Sequence, residues 1–262
     1  MMWILCYLIT FLACIIGTIC GMGGGIIIKP VLDATGLMSV ATITFLSGCT
    51  VIAMAMWSIG KNLLKGEPEL DVRTTGLLAA SAAAGGLLGK QLFALTAGLF
   101  ADRNTAGGVQ AALLLAATFA TLIYTLRKDR LPSRRVSSPW ANLVIGFLLG
   151  LLGAFLGIGG GPFNVAVLCY FFSMPTKRAT QNSLLIVLFS QAASTLKTAL
   201  FDGAPAISPA VLLCMMLAGI VGSEIGRMIN RRIDNRQATI CLEGAMVLIM
   251  GISMYNIVQF FV

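Results

Sequence analysis

A chain of 262 residues that is 58% apolar and only 11% charged, with a mean hydropathy of +0.92, is no soluble globular enzyme, disordered chain or secreted disulfide scaffold. Its net charge of +8 is no nucleic-acid signal either, because surplus Lys and Arg mark the cytoplasmic loops of membrane proteins. The absence of His excludes imidazole metal sites and Ser-His-Asp catalysis. The seven cysteines stand singly in apolar stretches without CxxC spacing, which reads as inert thiols rather than metal ligands or a disulfide framework.

A membrane-crossing helix needs about 20 mostly apolar residues. In chain order, residues 2–20, 39–60, 74–98, 105–126, 140–157, 182–201, 209–229 and 238–260 are segments of roughly that kind. Segment 2–20 lacks a basic n-region, so it is expected to belong to the mature protein rather than to a cleaved signal. Two further apolar stretches, 26–35 and 162–174, are too short to cross alone. Each directly follows a glycine cluster: Gly-Met-Gly-Gly-Gly at 21–25 and Gly-Ile-Gly-Gly-Gly at 157–161, an offset of 136. In the third long helix of each half, Gly86-Leu-Leu-Gly89 aligns with Gly219-Ile-Val-Gly222, an offset of 133. These matches predict an internal duplication, with a first transmembrane repeat over 1–127, a basic cytoplasmic linker over 128–139 and a second repeat over 140–262.

Charge decides the topology. If all eight long segments cross and the short ones do not count, basic residues divide almost evenly between the two faces. If each glycine cluster turns a hairpin, the loops at 61–73, 127–135, 177–178 and 227–236 share one face. That face then holds fourteen basic residues and the other only Arg103. Positive-inside bias favours the second arrangement. The predicted fold is therefore an all-α membrane protein of about eight transmembrane helices plus two short re-entrant segments, built as two inverted repeats. Both termini are expected outside a bacterial inner membrane. Lys29, Lys90 and Lys197 are left within apolar segments.

The glycine clusters are the main candidate site. Glycine runs break helices, and broken backbone at membrane depth survives only inside protein or along a cavity. The freed N–H groups and the dipole of the restarted helix suit an anion, so Gly23, Gly24, Gly25, Gly159, Gly160 and Gly161 are expected to bind substrate. Lys29, four residues past Gly25, and Lys90, deep in 74–98, are costly buried cations and join the set. Hydroxyl and amide donors follow each hairpin: Thr42, Thr44 and Ser47 in the first half, Asn164, Thr180, Gln181, Asn182 and Ser183 in the second. Helix capping and close helix packing explain the same residues in the absence of a ligand. Glu224 and Glu243 are the embedded carboxylates available for proton coupling, although Arg227 at i+3 offers Glu224 a structural ion pair. Asp33 and Asp202 are expected near the outer surface.

The strings GMGGGIIIKPVL and GAFLGIGGG, with ATQNSLL after the second and the Gly-x-x-Gly pair in each half, resemble the sulfite exporter TauE/SafE family of membrane permeases over essentially the whole chain. The resemblance implies transport of sulfite, sulfonates or sulfoacetate-like anions, coupled to an ion gradient. Two features depart from the family pattern. Pro162 directly follows the second cluster with no proline at the place of Pro30, and Lys29 takes a position usually apolar. The expected function is a secondary permease for small sulfur-containing anions working by alternating access; an anion channel is the alternative. No catalytic residue, cofactor or metal is expected, and there is no GxxxxGK[ST] loop for ATP. The expected partners are the anion and the lipid bilayer, with homodimerisation left open and nucleic acid excluded.

Overall fold

A computed structural model describes residues 2–64, 71–99, 103–130, 133–136, 138–203 and 205–261. Lys65 and part of the 128–139 linker lie outside the described residues, as do the side chains of Arg73 and Arg103. Ten α-helices follow in order: α1 Met2–Ile19, α2 Gly25–Asp33, α3 Val40–Leu64, α4 Val72–Leu99, α5 Arg103–Arg127, α6 Pro139–Phe155, α7 Pro162–Phe172, α8 Thr176–Lys197, α9 Pro209–Arg232 and α10 Asn235–Phe261. Among the described residues there is no strand, so the protein is all-α. Helices α3, α4, α5, α8, α9 and α10 are long and apolar enough to cross a membrane, which makes this a multi-pass membrane protein. Helices α1 and α6, with 18 and 17 residues, reach about 26 Å at 1.5 Å per residue, slightly less than a bilayer core. Helices α2 and α7 have 9 and 11 residues and cannot cross.

The element order is the same in both halves, and so is the packing. Helix α4 packs on α6 and α8, while its counterpart α9 packs on α1 and α3. Helix α3 meets α8, and α5 meets α10. Each half thus completes the core of the other. Close approach explains the glycines on α4 and α9. A Cβ at Gly85 or Gly89 would strike the carbonyls of Phe147 and Leu151 on α6. A Cβ at Gly222 or Gly226 would strike those of Phe11 and Ile15 on α1. This corrects the sequence alignment. Equivalent partners on α1 and α6 differ by 136, so Gly85 and Gly89 correspond to Gly222 and Gly226. The matched Gly-x-x-Gly strings were one turn out of register; the packing unit is Gly-x-x-x-Gly.

Helix α8 also begins six residues before the apolar stretch expected at 182. Its polar first turns are buried because neighbouring helices satisfy them. The Lys128 ammonium donates to Thr176 Oγ1 at 2.7 Å, and Asn182 Oδ1 accepts from the Asp71 N–H and the Thr75 hydroxyl, both at 2.8 Å. Hydropathy alone assigned that segment to a loop.

Contacts gather the basic loops at one end. Lys61 pairs with Glu224 at 3.2 Å, Arg178 with Asp71 at 3.4 Å, and the Lys177 N–H donates to Asn235 at 2.9 Å. The last turn of α10 lies at the opposite end, where Phe260 covers Gly107 and Asn256 donates to the Pro30 carbonyl at 2.9 Å. Helix α1 runs parallel to α9, Phe11 facing Gly222 and Ile15 facing Gly226, so its first turn lies at that second end as well.

Candidate functional site

The glycine clusters make two turns of one shape. Gly21 and Gly23 have φ of +66° and +72°; Gly157 and Gly159 have +70° and +71°. This left-handed backbone strains any residue with a Cβ, which is why glycine stands at each place. The Met22 N–H donates to the Gly17 carbonyl at 2.9 Å, and the Ile158 N–H to that of Gly153 at 3.1 Å. Gly17 and Gly153 in turn lie so close to Gly23 and Gly159 that a Cβ would overlap their backbone. Each short helix therefore folds back over the helix before it.

The two turns meet in the middle of the bundle. Gly23 lies against Val51 and Val187, near the midpoints of α3 and α8, and Gly160 lies against Val187 from the other side. A Cβ on Gly25 would stand 3.1 Å from both the Ile158 carbonyl and Ser47 Oγ. At the start of α2 the Gly25 and Ile26 N–H groups, and at the start of α7 the Phe163 N–H, precede the first helical bonds, made by Ile27 and Asn164 to the Gly24 and Gly161 carbonyls; the positive ends of both helices point into this junction. Beside it lies Asn164, in the first turn of α7 and 0% exposed, with neither Oδ1 nor Nδ2 hydrogen-bonded. The buried Ser183 hydroxyl is likewise unsatisfied. Unsatisfied buried amides are costly and rare outside functional sites.

Around the junction the predicted residues divide into three groups. Near the end holding the last turn of α10, Lys29 and Asp33 form a buried ion pair at 2.8 Å. Asp33 is thus not at the surface as expected: α2 folds inward against α10, and its carboxylate neutralises the lysine one turn back. The Lys29 stem crosses the second turn, where a Cβ on Gly157 would lie 2.9 Å from Lys29 Cε. The pair borders a cavity of about 10 Å³ with Gln110, Ser253 and Asn256. A neighbouring cavity of the same size is lined by Thr44, Lys90, Gly157, Gln191, Ser194, Thr195 and Thr198. Each has room for one water-sized body. The charged neighbours of Lys90 are Asp202, Lys197 and Lys29. Two of the three lysines that the charge tally left unplaced, Lys29 and Lys90, thus both border Gly157.

At the basic end, Gln181 and Asn182 are buried in a polar seal. Asn62 donates to Gln181 at 2.7 Å, Gln181 to Asn230 at 3.0 Å, and Asn230 to the Ile19 carbonyl at 2.8 Å, just before the first glycine turn. Glu224 accepts from Arg227 at 2.7 Å, Trp57 at 2.8 Å and Lys61 at 3.2 Å, the ion pair that its spacing offered. The third group stands apart. Thr42 bonds Ser39 at 2.8 Å at the start of α3 and lines neither cavity. Glu243 is half-buried on α10 and makes no side-chain hydrogen bond or ion pair among the described residues.

Sequence reasoning missed Gln110, Gln191, Asn62 and Asn230. One signal was available for Gln191: with Ser194, Thr195 and Thr198 it forms a polar stripe at i, i+3, i+4 and i+7 running to the end of α8.

The sequence profile of the family described as sulfite exporter TauE/SafE matches residues 6–254. The chain belongs to the sulfite exporter TauE/SafE family. No curated protein and no solved structure gives a significant match. Family membership makes the bundle a membrane transporter, and the paired turns at its centre are read in that light.

Proposed function

We propose that this TauE/SafE protein is a secondary permease that carries small sulfur-containing anions by alternating access. The observation that supports it most is the convergence of two left-handed glycine turns, with two helix N-termini and the unsatisfied Asn164 amide, near the midpoints of α3 and α8. The backbone N–H groups of Gly23, Gly25, Gly160 and Gly161, with Ser47, Asn164 and Ser183, bind the oxyanion, and the hydroxyls and amide complete its hydrogen bonds; the Gly24 and Gly159 N–H groups already donate to Met54 Sδ at 3.3 Å and the Gly153 carbonyl at 3.0 Å and hold the turns in shape. Lys90, with Thr44 and Gln191, attracts the anion from one end, and Lys29, already neutralised by Asp33, fixes the second turn in place. The cavities hold only about 10 Å³, so this conformation is closed around the site. Access requires the halves 1–127 and 140–262 to rock against each other as inverted repeats. Applying positive-inside bias, the basic end faces the cytoplasm of a bacterial inner membrane and both termini face outward.

Purified protein in liposomes tests this. Preloading with unlabelled sulfite should accelerate entry of labelled sulfite, because a carrier exchanges. Dissipation without exchange would make the protein an anion channel, and failure of sulfite, thiosulfate and sulfonates alike to exchange would remove the substrate class.

A further inference from the structure

The corrected register on α4 and α9 gives Lys90 a counterpart. Gly85 and Gly89 meet the same carbonyls of α6 that Gly222 and Gly226 meet on α1. Gly86 lies against Ser190, and Ser223 donates to the Met54 carbonyl at 3.3 Å; Met54 and Ser190 differ by 136. Residues of α4 and α9 thus correspond at an offset of 137, which places Lys90 opposite Arg227. The 136 offset likewise carries Thr44, Gly157, Ala154, Ser194 and Thr198 onto Thr180, Gly21, Thr18, Ser58 and Asn62.

Contacts place parts of this second set on the same helix junctions. Thr18 lies against Gly226, Gly21 against the Thr180 backbone, and Asn62 donates to Gln181. Thr18, Ser58, Asn62 and Thr180 are all buried, and the Thr18 hydroxyl has no hydrogen-bond partner. Each half thus carries, at corresponding positions, a cation on its fourth helix, a glycine turn and a group of hydroxyls and amides. The two differ in lining, since Gln191 and Thr195 correspond to Ala55 and Ile59, and in how the cation is held. Lys90 lines a cavity and has no carboxylate within ion-pair distance among the described residues. Arg227 is 2% exposed and forked onto Glu224 through Nη2 at 2.7 Å and Nε at 3.3 Å. Glu224 corresponds to Leu87, and Trp57 and Lys61 hold it in place.

We propose that Arg227, with Thr18, Ser58, Asn62 and Thr180, forms a second oxyanion-binding site at the basic end, the counterpart of the Lys90 site. In the conformation described, the Glu224 carboxylate takes the place of the substrate on Arg227, and it gives way when that end opens. The inference rests on the permease reading and adds the residues that receive the anion at the basic end.

Trp57, bonded to Glu224, is a built-in reporter. In a W3F/W140F protein, purified in detergent, Trp57 fluorescence is followed as sulfite is added, with chloride at equal ionic strength as control. Sulfite should change the signal and chloride should not. E224Q, by removing the carboxylate charge that competes for Arg227, should lower the half-saturating sulfite concentration roughly ten-fold, the size of one charge-assisted hydrogen bond. R227K should retain the response, and R227M should lose it. The E224Q/R227M double variant, which leaves no unpaired buried charge, should lose it too and covers the case of R227M failing to fold. G244A, at a position where a Cβ meets nothing within 4 Å, should leave it intact. Unchanged titrations in E224Q and in both R227M proteins would overturn the site, as would an equal response to chloride. A silent Trp57 in a protein that exchanges sulfite would overturn the second site and leave the permease reading standing. An Arg227-dependent response without exchange would do the reverse, and absence of both would overturn both.

Discussion

The two glycine turns share a backbone but little side-chain chemistry. Their positive φ angles nearly coincide, +66° and +70° at Gly21 and Gly157 and +72° and +71° at Gly23 and Gly159. Yet α2 continues with Ile28, Lys29 and Asp33, where α7 has Asn164, Val165 and Cys169. The first turn is pressed on Thr180 and covered by the Asn62–Gln181–Asn230 chain, while the second borders the cavity that holds Lys90. Sterics demand glycine at both turns, because the left-handed backbone and the close approach leave no room for a Cβ. Nothing comparable constrains the flanking side chains. The asymmetry between the two turns therefore lies in the side chains around them.

The largest effect should come from filling the turns. An alanine at Gly160 meets Val187 and stands 2.8 Å from Asn164 Nδ2; at Gly24 it meets Cys14 Sγ at 2.6 Å. Each costs about 1–3 kcal/mol of packing, too little to prevent folding, while sulfite exchange in liposomes falls to background. The turns should then part company. Replacing Cys14 with Ala as well should restore exchange to Gly24→Ala, because one thiol is its chief obstacle. Gly160→Ala has no such single rescue, since it also displaces Asn164. Next is the ion pair that only the first half carries. Lys29→Met leaves Asp33 buried and alone, at a cost of about 3–5 kcal/mol in thermal unfolding. Lys29→Met with Asp33→Leu should recover most of that stability; a double variant no better than the single one would show that the pair acts through something other than charge. Asn164, which only the second half carries, should behave oppositely. Asn164→Leu removes an unsatisfied amide and raises stability by about 1 kcal/mol, yet weakens sulfite-induced thermal stabilisation. The smallest effect is expected at Gly244, where a Cβ meets nothing within 4 Å. Gly244→Ala should stay within about 0.5 kcal/mol and exchange normally.

The order and approximate bounds of all ten helices were legible in the sequence, because apolar length is the main requirement of a membrane helix and glycine clusters are the main breaks. The pairing of α4 and α9 was legible only to within a turn. Gly-x-x-Gly and Gly-x-x-x-Gly overlap at Gly85, Gly86 and Gly89, and only the carbonyls they touch decide between them. The start of α8 was missed because Thr176–Asn182 is polar and hydropathy cannot see partners in other helices. For the same reason Lys29 stood out in the sequence while its neutraliser Asp33, one turn on, was placed at the surface. Gln110 and Asn62 carried no local signal; they matter through the Phe155 carbonyl and Gln181, 45 and 119 residues away.

Reciprocal access to the two ends is the claim on which transport depends, and thiol labelling measures it directly. In a protein freed of its seven native cysteines, Thr44→Cys and Thr180→Cys stand at equivalent places on opposite sides of the turns. A membrane-impermeant thiol reagent should reach Thr44→Cys only from the side of the chain termini and Thr180→Cys only from the basic side. Saturating sulfite should change the two rates in opposite directions. Labelling of both from one side, or rates that rise and fall together, would contradict alternating access between inverted halves.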